Sequence, residues 1–234
     1  PHGDFLVNVD FSRALEVWAG AIGPMLLATL KVTIPLSLIA FAIALVLAII
    51  TASARLSRFR PLKAIAWLYV WVFRGTPLLV QLFIVFYGLP KLVPSLVLDP
   101  WTAAVGTLAL NSGAYASEAV RASILSIPRG QYEAAATLDL DRRTTFLKVI
   151  APQAFRIALP PLSNDFIDLV KGTSLVSTIT LLDMFMVAQQ RAAATFEPFY
   201  LYVLVAAIYL VLISVLSLVQ AWLEKKASVY VERD

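Results

Sequence analysis

Residues 198–223 read PFYLYVLVAAIYLVLISVLSLVQAWL. From Pro198 to Leu223 there is no charged side chain, and Glu224-Lys225-Lys226 closes the run. About 20 apolar residues suffice for a helix to cross the ~30 Å hydrocarbon core of a bilayer, so this stretch predicts a membrane span. The rest of the chain is of the same kind. Its 234 residues are 60% apolar and 15% charged, with a mean hydropathy of +0.81. A soluble domain is roughly half apolar and about a quarter charged, so lipid is the solvent for much of this surface.

Four further apolar blocks precede that one. Residues 32–54 carry no charge and extend back to about Gly23, with Lys31 placed to snorkel or to face a partner helix. Pro35 removes one ladder donor and predicts a kink. Residues 64–90 are interrupted by Arg74-Gly75-Thr76-Pro77. They read either as one kinked span or as an interfacial helix leading into a shorter span from Pro77 to Leu89. Trp67, Tyr69 and Trp71 suit an interfacial approach and a buried face equally. Residues 100–117 are uncharged up to Glu118. A fourth block starts near Phe155, is broken by Asn164, Asp165, Asp168 and Lys171, and resumes at Leu175.

The expected fold is therefore an all-α integral membrane protein with about five transmembrane helices. Orientation follows from Lys and Arg. Arg55, Arg58, Arg60 and Lys63 form a short loop with no acidic residue, which marks the cytoplasmic side. The N-terminus then lies outside and the C-terminus inside. Inside segments carry twelve basic residues, whereas outside segments carry Arg13, Lys91 and Arg191. The net charge of +4 reflects this bias, not a nucleic-acid surface, since no single basic stripe interleaves with aromatics. Residues 1–20 pattern loosely as an outer, interfacial segment, 21–225 as the membrane domain, and 226–234 as a cytoplasmic tail.

Cysteine is absent and the single histidine is His2. Disulfides, thiolate or imidazole metal sites, and Cys or Ser-His nucleophilic chemistry are thereby excluded from the interior. No Gly-rich loop ending in Gly-Lys-Ser/Thr is present, so the chain has no nucleotide site of that type. An intramembrane enzyme would need an all-carboxylate or Ser-Lys mechanism, for which only Lys171 beside Thr173-Ser174 offers material.

The polar stretch between the third and fourth blocks runs from Glu118 to about Pro152. Within it, Gly130 to Phe146 reads GQYEAAATLDLDRRTTF. Its alanines favour helix, Pro128-Arg129-Gly130 breaks the chain before it, and Glu133 suits the positive end of a helix dipole. Ala134, Ala135 and Ala136 leave room for another protein to approach, and Leu138 and Leu140 offer apolar contacts. An ordinary solvated surface helix accounts for the composition as well as a docking helix does.

This segment resembles the EAA loop of ABC-importer permeases, whose pattern is Glu-Ala-Ala, three residues, Gly, then a later Pro. Glu133-Ala134-Ala135 and Ile150-Ala151-Pro152-Gln153-Ala154 fall at that spacing. Phe73-Arg74-Gly75-Thr76-Pro77-Leu78 with Gln81 resembles the polar amino acid branch of the family. So do Ala114-Tyr115-Ala116-Ser117-Glu118 with Arg121, Leu159-Pro160-Pro161-Leu162-Ser163-Asn164, and Lys171-Gly172-Thr173-Ser174-Leu175. The resemblance covers about residues 20–225. It departs at Asp139, where the family has Gly, at Asp141, where a small polar residue is usual, and at Gly172, where an acidic or amide residue is usual. Asp tolerates a positive φ better than most residues, so the bend at 139 is expected to survive. Gly172 is expected to loosen the fourth helix.

The resemblance implies a multi-pass subunit of the bacterial cytoplasmic membrane that dimerises with a second copy or a paralogue to form a translocation path. Its coupling loop, about 128–152, would dock on a dimer of cytoplasmic ATPase subunits through Glu133, Ala134, Ala135, Leu138, Asp139 and Leu140. ATP and Mg would belong to those partners, with no cofactor or metal in this chain. An extracytoplasmic binding protein would deliver an amino acid. The Pro-Pro-Leu-Ser-Asn and Tyr87-Gly88-Leu89-Pro90 stretches look like cystine-type permeases, whereas Asp165 and Asp168 equally suit a basic amino acid.

An ionisable residue within a span faces a partner or a polar path. Asn164, Asp165, Asp168, Lys171, Thr173 and Ser174 are accordingly the candidates for a substrate path. Asp168 and Lys171 are i,i+3 neighbours and could simply pair with each other, and Ser/Thr hydroxyls in spans usually bond their own helix. Glu118 and Arg121 form a second i,i+3 pair near the inner end of the third span, where Arg74 is placed to bond Glu118 in a gating or structural role. A stand-alone secondary transporter or channel is the rival function, against which stand five spans, one docking loop and no visible internal symmetry.

Overall fold

Phe11–Leu56 forms a single helix of 46 residues, α1. At a rise of 1.5 Å per residue it is about 69 Å long, more than twice a bilayer's hydrocarbon core. It opens a computed structural model in which residues 11–228 are described. Those residues show helices and connections only.

Pro35 does not break α1. A π-helical turn over Thr29–Thr33 immediately precedes it, and there the Ile34 amide donates to the Thr29 carbonyl. The widened turn carries the helix past the missing donor without ending it. Thr29 Oγ1 donates to Met25 O at 2.9 Å and Ser37 Oγ to Thr33 O at 2.7 Å, so polar side chains in this apolar helix bond their own backbone.

The separate interfacial segment expected over residues 1–20 lies partly outside the described residues. From Phe11 onward it has no counterpart as a separate element. Ala14, Val17, Ala21 and Met25 are buried at helical spacing, and this part of α1 packs on α7 (Met184–Thr195) and α8 (Pro198–Ser228). The periodicity continues across residue 20 without a boundary.

After α1 come α2 (Arg60–Gly75) and α3 (Leu78–Leu92), which meet at a bend of 107°. The interruption at Arg74 to Pro77 is thus a corner between two helices. α4 (Pro100–Leu125) starts on Asp99, whose carboxylate accepts from the Trp101 and Thr102 amides at 3.0 and 3.1 Å. It continues past Ser117, so Glu118 and Arg121 lie on a helix that extends beyond the uncharged stretch. α5 (Arg129–Thr137) is the short helix of the polar segment. α6 runs over Arg142–Ile179 and bends by 50° into α7.

α1 and α8 are each long and apolar enough to cross a membrane, and the bent pairs α2–α3 and α6–α7 raise that number to four by composition and length. α4 is less apolar because it sits at the centre of the bundle, against α1, α2 and α6. Its buried face is built from small residues, among them Ala104, Thr107, Gly113, Ala114 and Ser117. Opposite stand Ala40, Ala44, Ala48 and Ala52 of α1, all buried at a spacing of four. Small residues let two helix backbones approach closely where hydrocarbon supplies no hydrophobic drive. Gly113 is a point of tight approach. A Cβ there would sit 3.0 Å from Tyr69 Oη, 3.1 Å from Leu47 Cβ and 3.3 Å from the Ala44 carbonyl oxygen.

α6 does not unwind at Gly172 as expected. It tightens into a 3-10 segment over Thr173–Ile179 and ends where Thr180 takes a left-handed φ of 66°. Gly172 packs closely on α3, where a Cβ would lie 3.2 Å from Leu78 Cδ2. Asp183 then caps α7, its Oδ1 accepting from the Met186 amide at 2.9 Å.

Candidate functional site

The corner between α2 and α3 is held by two amides. Gln81 Nε2 donates to Phe73 O at 2.9 Å, to Thr76 O at 3.0 Å and to Thr76 Oγ1 at 2.8 Å. Helix termini leave carbonyls without partners, and here one buried side chain supplies the donors. Asn111 of α4 completes the unit, donating to Gln81 Oε1 at 2.9 Å. Asn111 is absent from the sequence-based candidates, and Gln81 entered only as part of a motif. A lone amide in an uncharged run carries little signal until its partner is known.

Beside this corner lies a cavity of about 290 Å³ between α3, α4 and α6. Leu78, Leu108 and Leu169 line its apolar side; Asn111, Ser112, Tyr115, Asp165 and Asp168 line its polar side. The Ser112 hydroxyl is buried with no hydrogen-bond partner among the described residues. Asp165 is half-buried and Asp168 is exposed, with Lys171 Nζ at 2.6 Å from Asp168 Oδ1. The i,i+3 pair expected from the spacing is formed.

The other path candidates separate from this cavity. Asn164 Oδ1 accepts from Gln220 Nε2 of α8 at 3.2 Å. Thr173 Oγ1 donates to Val170 O at 2.7 Å and Ser174 Oγ to Lys171 O at 2.9 Å. Both hydroxyls are used by their own helix, as Ser and Thr in spans commonly are.

A second cavity of about 410 Å³ adjoins the first and shares Tyr115 with it. Arg55, Trp67, Trp71, Arg74 and Glu118 line it. Glu118 is not bonded to Arg74. Its Oε1 lies 2.7 Å from Arg55 Nη1 and its Oε2 2.9 Å from Arg121 Nη2. The Arg74 guanidinium instead lies over the Tyr115 ring, 5.1 Å from its centroid, a cation–π contact one helical turn short of the expected partner. Arg55 figured in the sequence only as a topology marker, because nothing local reveals that α1 delivers it to α4.

The polar segment folds as a helix–turn–helix. Leu140 N donates to Ala135 O and Asp139 N to Ala136 O, both at 3.1 Å, and Asp139 has φ 55°. This is the Schellman pattern of helix termination, and the positive φ expected at Asp139 is present. Asp141 is the N-cap of α6, accepting from the Arg143 amide at 3.2 Å. The Thr144 hydroxyl is the main influence holding the Asp141 carboxyl below its ordinary range. Glu133, Ala134, Leu138 and Asp139 are exposed, whereas Ala135 is buried against the bundle and Leu140 is half-buried. Gln153 Nε2 donates to Gln131 Oε1 at 3.3 Å and fixes α5 to α6. Among the described residues no cluster of His, Cys, Asp or Glu could hold a metal.

Long apolar helices around a polar cavity, with a rigid helical projection between α4 and α6, define a membrane permease. The family model "Binding-protein-dependent transport system inner membrane component" matches residues 44–229, and the chain belongs to that family. It is 46% identical over 211 residues to the L-cystine transport system permease protein TcyB of Bacillus subtilis, covering 90% of this chain and 89% of that one. It is 37% identical over 220 residues to the arginine transport system permease protein ArtQ of the same organism, covering 94% and 98%. A solved structure described as an amino acid ABC transporter with histidines superposes with a TM-score of 0.84 at 33% identity, covering 93% of this chain and 99% of that one. The inward-facing MetNI methionine transporter shares the fold at a TM-score of 0.66 and 15% identity, covering 92% and 98%.

Proposed function

We propose that this chain is the membrane subunit of an ATP-driven amino acid importer and that the cavity between α3, α4 and α6 is its substrate path. One observation carries the assignment of the path. A polar pocket holding two carboxylates, Asp165 and Asp168, and an unpartnered buried hydroxyl, Ser112, is built into an otherwise apolar bundle. Such groups are expensive in a membrane protein unless they meet a polar ligand or water. The carboxylates suit an α-ammonium or a basic side chain; Lys171 suits an α-carboxylate. Cystine or a basic amino acid is the substrate class, in keeping with the cystine and arginine relatives.

The path is formed by two permease copies, or by this chain and a paralogue, with five spans each, the N-terminus outside and the C-terminus inside the bacterial cytoplasmic membrane. The exposed residues Glu133, Ala134, Leu138 and Asp139 dock on cytoplasmic ATPase subunits, which supply ATP and Mg chemistry. ATP-driven approach of the two ATPases moves the paired helices together, the spans rock, and the path changes the side it faces. An extracytoplasmic binding protein presents the amino acid. Arg74 and Glu118, which line the second cavity, and Arg121, which is bonded to Glu118, act as gating or structural groups.

Glu133→Lys tests the coupling. Substrate-stimulated ATP hydrolysis by the reconstituted complex should disappear, and normal stimulation would rule out docking through this helix.

A further inference from the structure

We propose that Arg74 binds the α-carboxylate of the transported amino acid while Asp165 binds its ammonium group, so that one zwitterion spans the two adjoining cavities at Tyr115. This rests on the substrate path proposed above and goes beyond a gating or structural part for Arg74.

Tyr115 lines both cavities. Asp165 stands with it in the first and is half-buried there. Arg74 stands with it in the second, its guanidinium over the Tyr115 ring at 5.1 Å from the centroid. The Arg74 charge is near enough to act on the Asp165 carboxylate, yet the two form no ion pair. Opposite charges held near each other but apart are complementary to an α-amino acid, whose ammonium and carboxylate are joined through a single carbon.

The other cations at these cavities are engaged. Lys171 suits an α-carboxylate by type, but its Nζ lies 2.6 Å from Asp168 Oδ1. Arg55 lines the second cavity with its Nη1 2.7 Å from Glu118 Oε1, and Arg121 takes the other oxygen of that carboxylate at 2.9 Å. Arg74 keeps its ring contact and has no ion pair among the described residues. Its helix packs on α1 and α4, and the acids whose charge it feels are Glu118 and Asp165. A guanidinium stacked on an aromatic ring keeps its donor edge for a bidentate pair with a carboxylate. An ionisable group in a membrane protein pairs or marks a path, and here the path is next to it.

Equilibrium binding to the full chain, purified in detergent with its ATPase and without a binding protein, tests this with two pairs of probes. L-arginine is compared with agmatine, and L-cystine with cystamine; each amine is its amino acid without the carboxylate. The wild type should bind at least one of the amino acids, about tenfold more tightly than its amine. Arg74→Gln should weaken that amino acid about tenfold and leave the amine unchanged, so that the preference disappears. Arg74→Lys should keep part of it. Asp165→Asn should weaken amino acid and amine alike. No preference in the wild type, a preference unchanged in Arg74→Gln, or equal weakening of both probes in that variant would overturn the carboxylate site, and the path would stand if Asp165→Asn still weakened both. Affinities unaffected by Asp165→Asn would overturn the path instead. No binding of either amino acid by the wild type would overturn both.

Discussion

Arg55 of α1 and Glu118 of α4 meet at 2.7 Å, and Arg121 takes the other oxygen of the same carboxylate at 2.9 Å. Two guanidinium groups converge on one acid at the end of the bundle where the second cavity opens. Removing the acid leaves two cations facing each other, so Glu118→Gln should destabilise by about 1–3 kcal/mol in thermal unfolding in detergent. A double-mutant cycle should find coupling between Arg55 and Glu118 and little between Arg74 and Glu118. Equal coupling of both arginines would contradict the geometry.

Gly113 governs the approach of α1 to α4. A methyl group there meets the Tyr69 hydroxyl at 3.0 Å, and that hydroxyl is itself fixed by donation to Leu110 O at 2.6 Å. Gly113→Val should cost about 1–3 kcal/mol, measured by unfolding in detergent. Gly20, where a Cβ meets nothing within 4 Å, provides the contrasting site, and Gly20→Ala should be close to neutral.

Asp139 holds a left-handed backbone at φ 55°. Asp139→Gly should preserve the turn, and Asp139→Val should weaken it by about 1–2 kcal/mol, because a β-branched side chain clashes at positive φ. Hydrogen exchange of the α5 amides reports the difference: faster in the valine variant, unchanged or slower in the glycine variant.

The Asp141 cap should respond to acid. Its folded pKa is depressed, chiefly by the Thr144 hydroxyl. A depressed carboxylate contributes stability that is complete above its unfolded value, about 3.9, and is lost as pH falls through the folded value. Protection of the amides at the start of α6 should therefore fall as pH drops below about 4, and Asp141→Asn should remove that dependence.

Much of this architecture is legible from residues 198–223 and 32–54, because a charge-free run of that length has few alternatives. The turn at Asp139 is legible too, since few residues other than Asn, Asp and Gly take that backbone conformation readily. The N-terminal part of α1 is obscured because its buried positions, Ala14 and Ala21 among them, are small and carry little hydrophobic signal. Pairing across distant elements is not written in local pattern. The i,i+3 spacing places Arg121 beside Glu118, but nothing local favours Arg55 over Arg74 as the second partner, and the packing of α1 on α4 supplies it. Thr173 and Ser174 look like path-lining hydroxyls until the structure shows them donating to the Val170 and Lys171 carbonyls of their own helix. Asp183 is a buried carboxylate that no pattern singles out, and it serves as a helix cap.

The central claim is that amino acid passes through the cavity at Ser112, Asp165 and Asp168. Ser112→Trp fills that cavity and leaves α5 untouched. ATP-driven uptake of labelled amino acid into proteoliposomes holding the permease, its ATPase and its binding protein is the direct measurement. Uptake should fall to background while the ATPase still co-purifies with the variant. Uptake at the wild-type rate would contradict the claim and place the path elsewhere in the bundle.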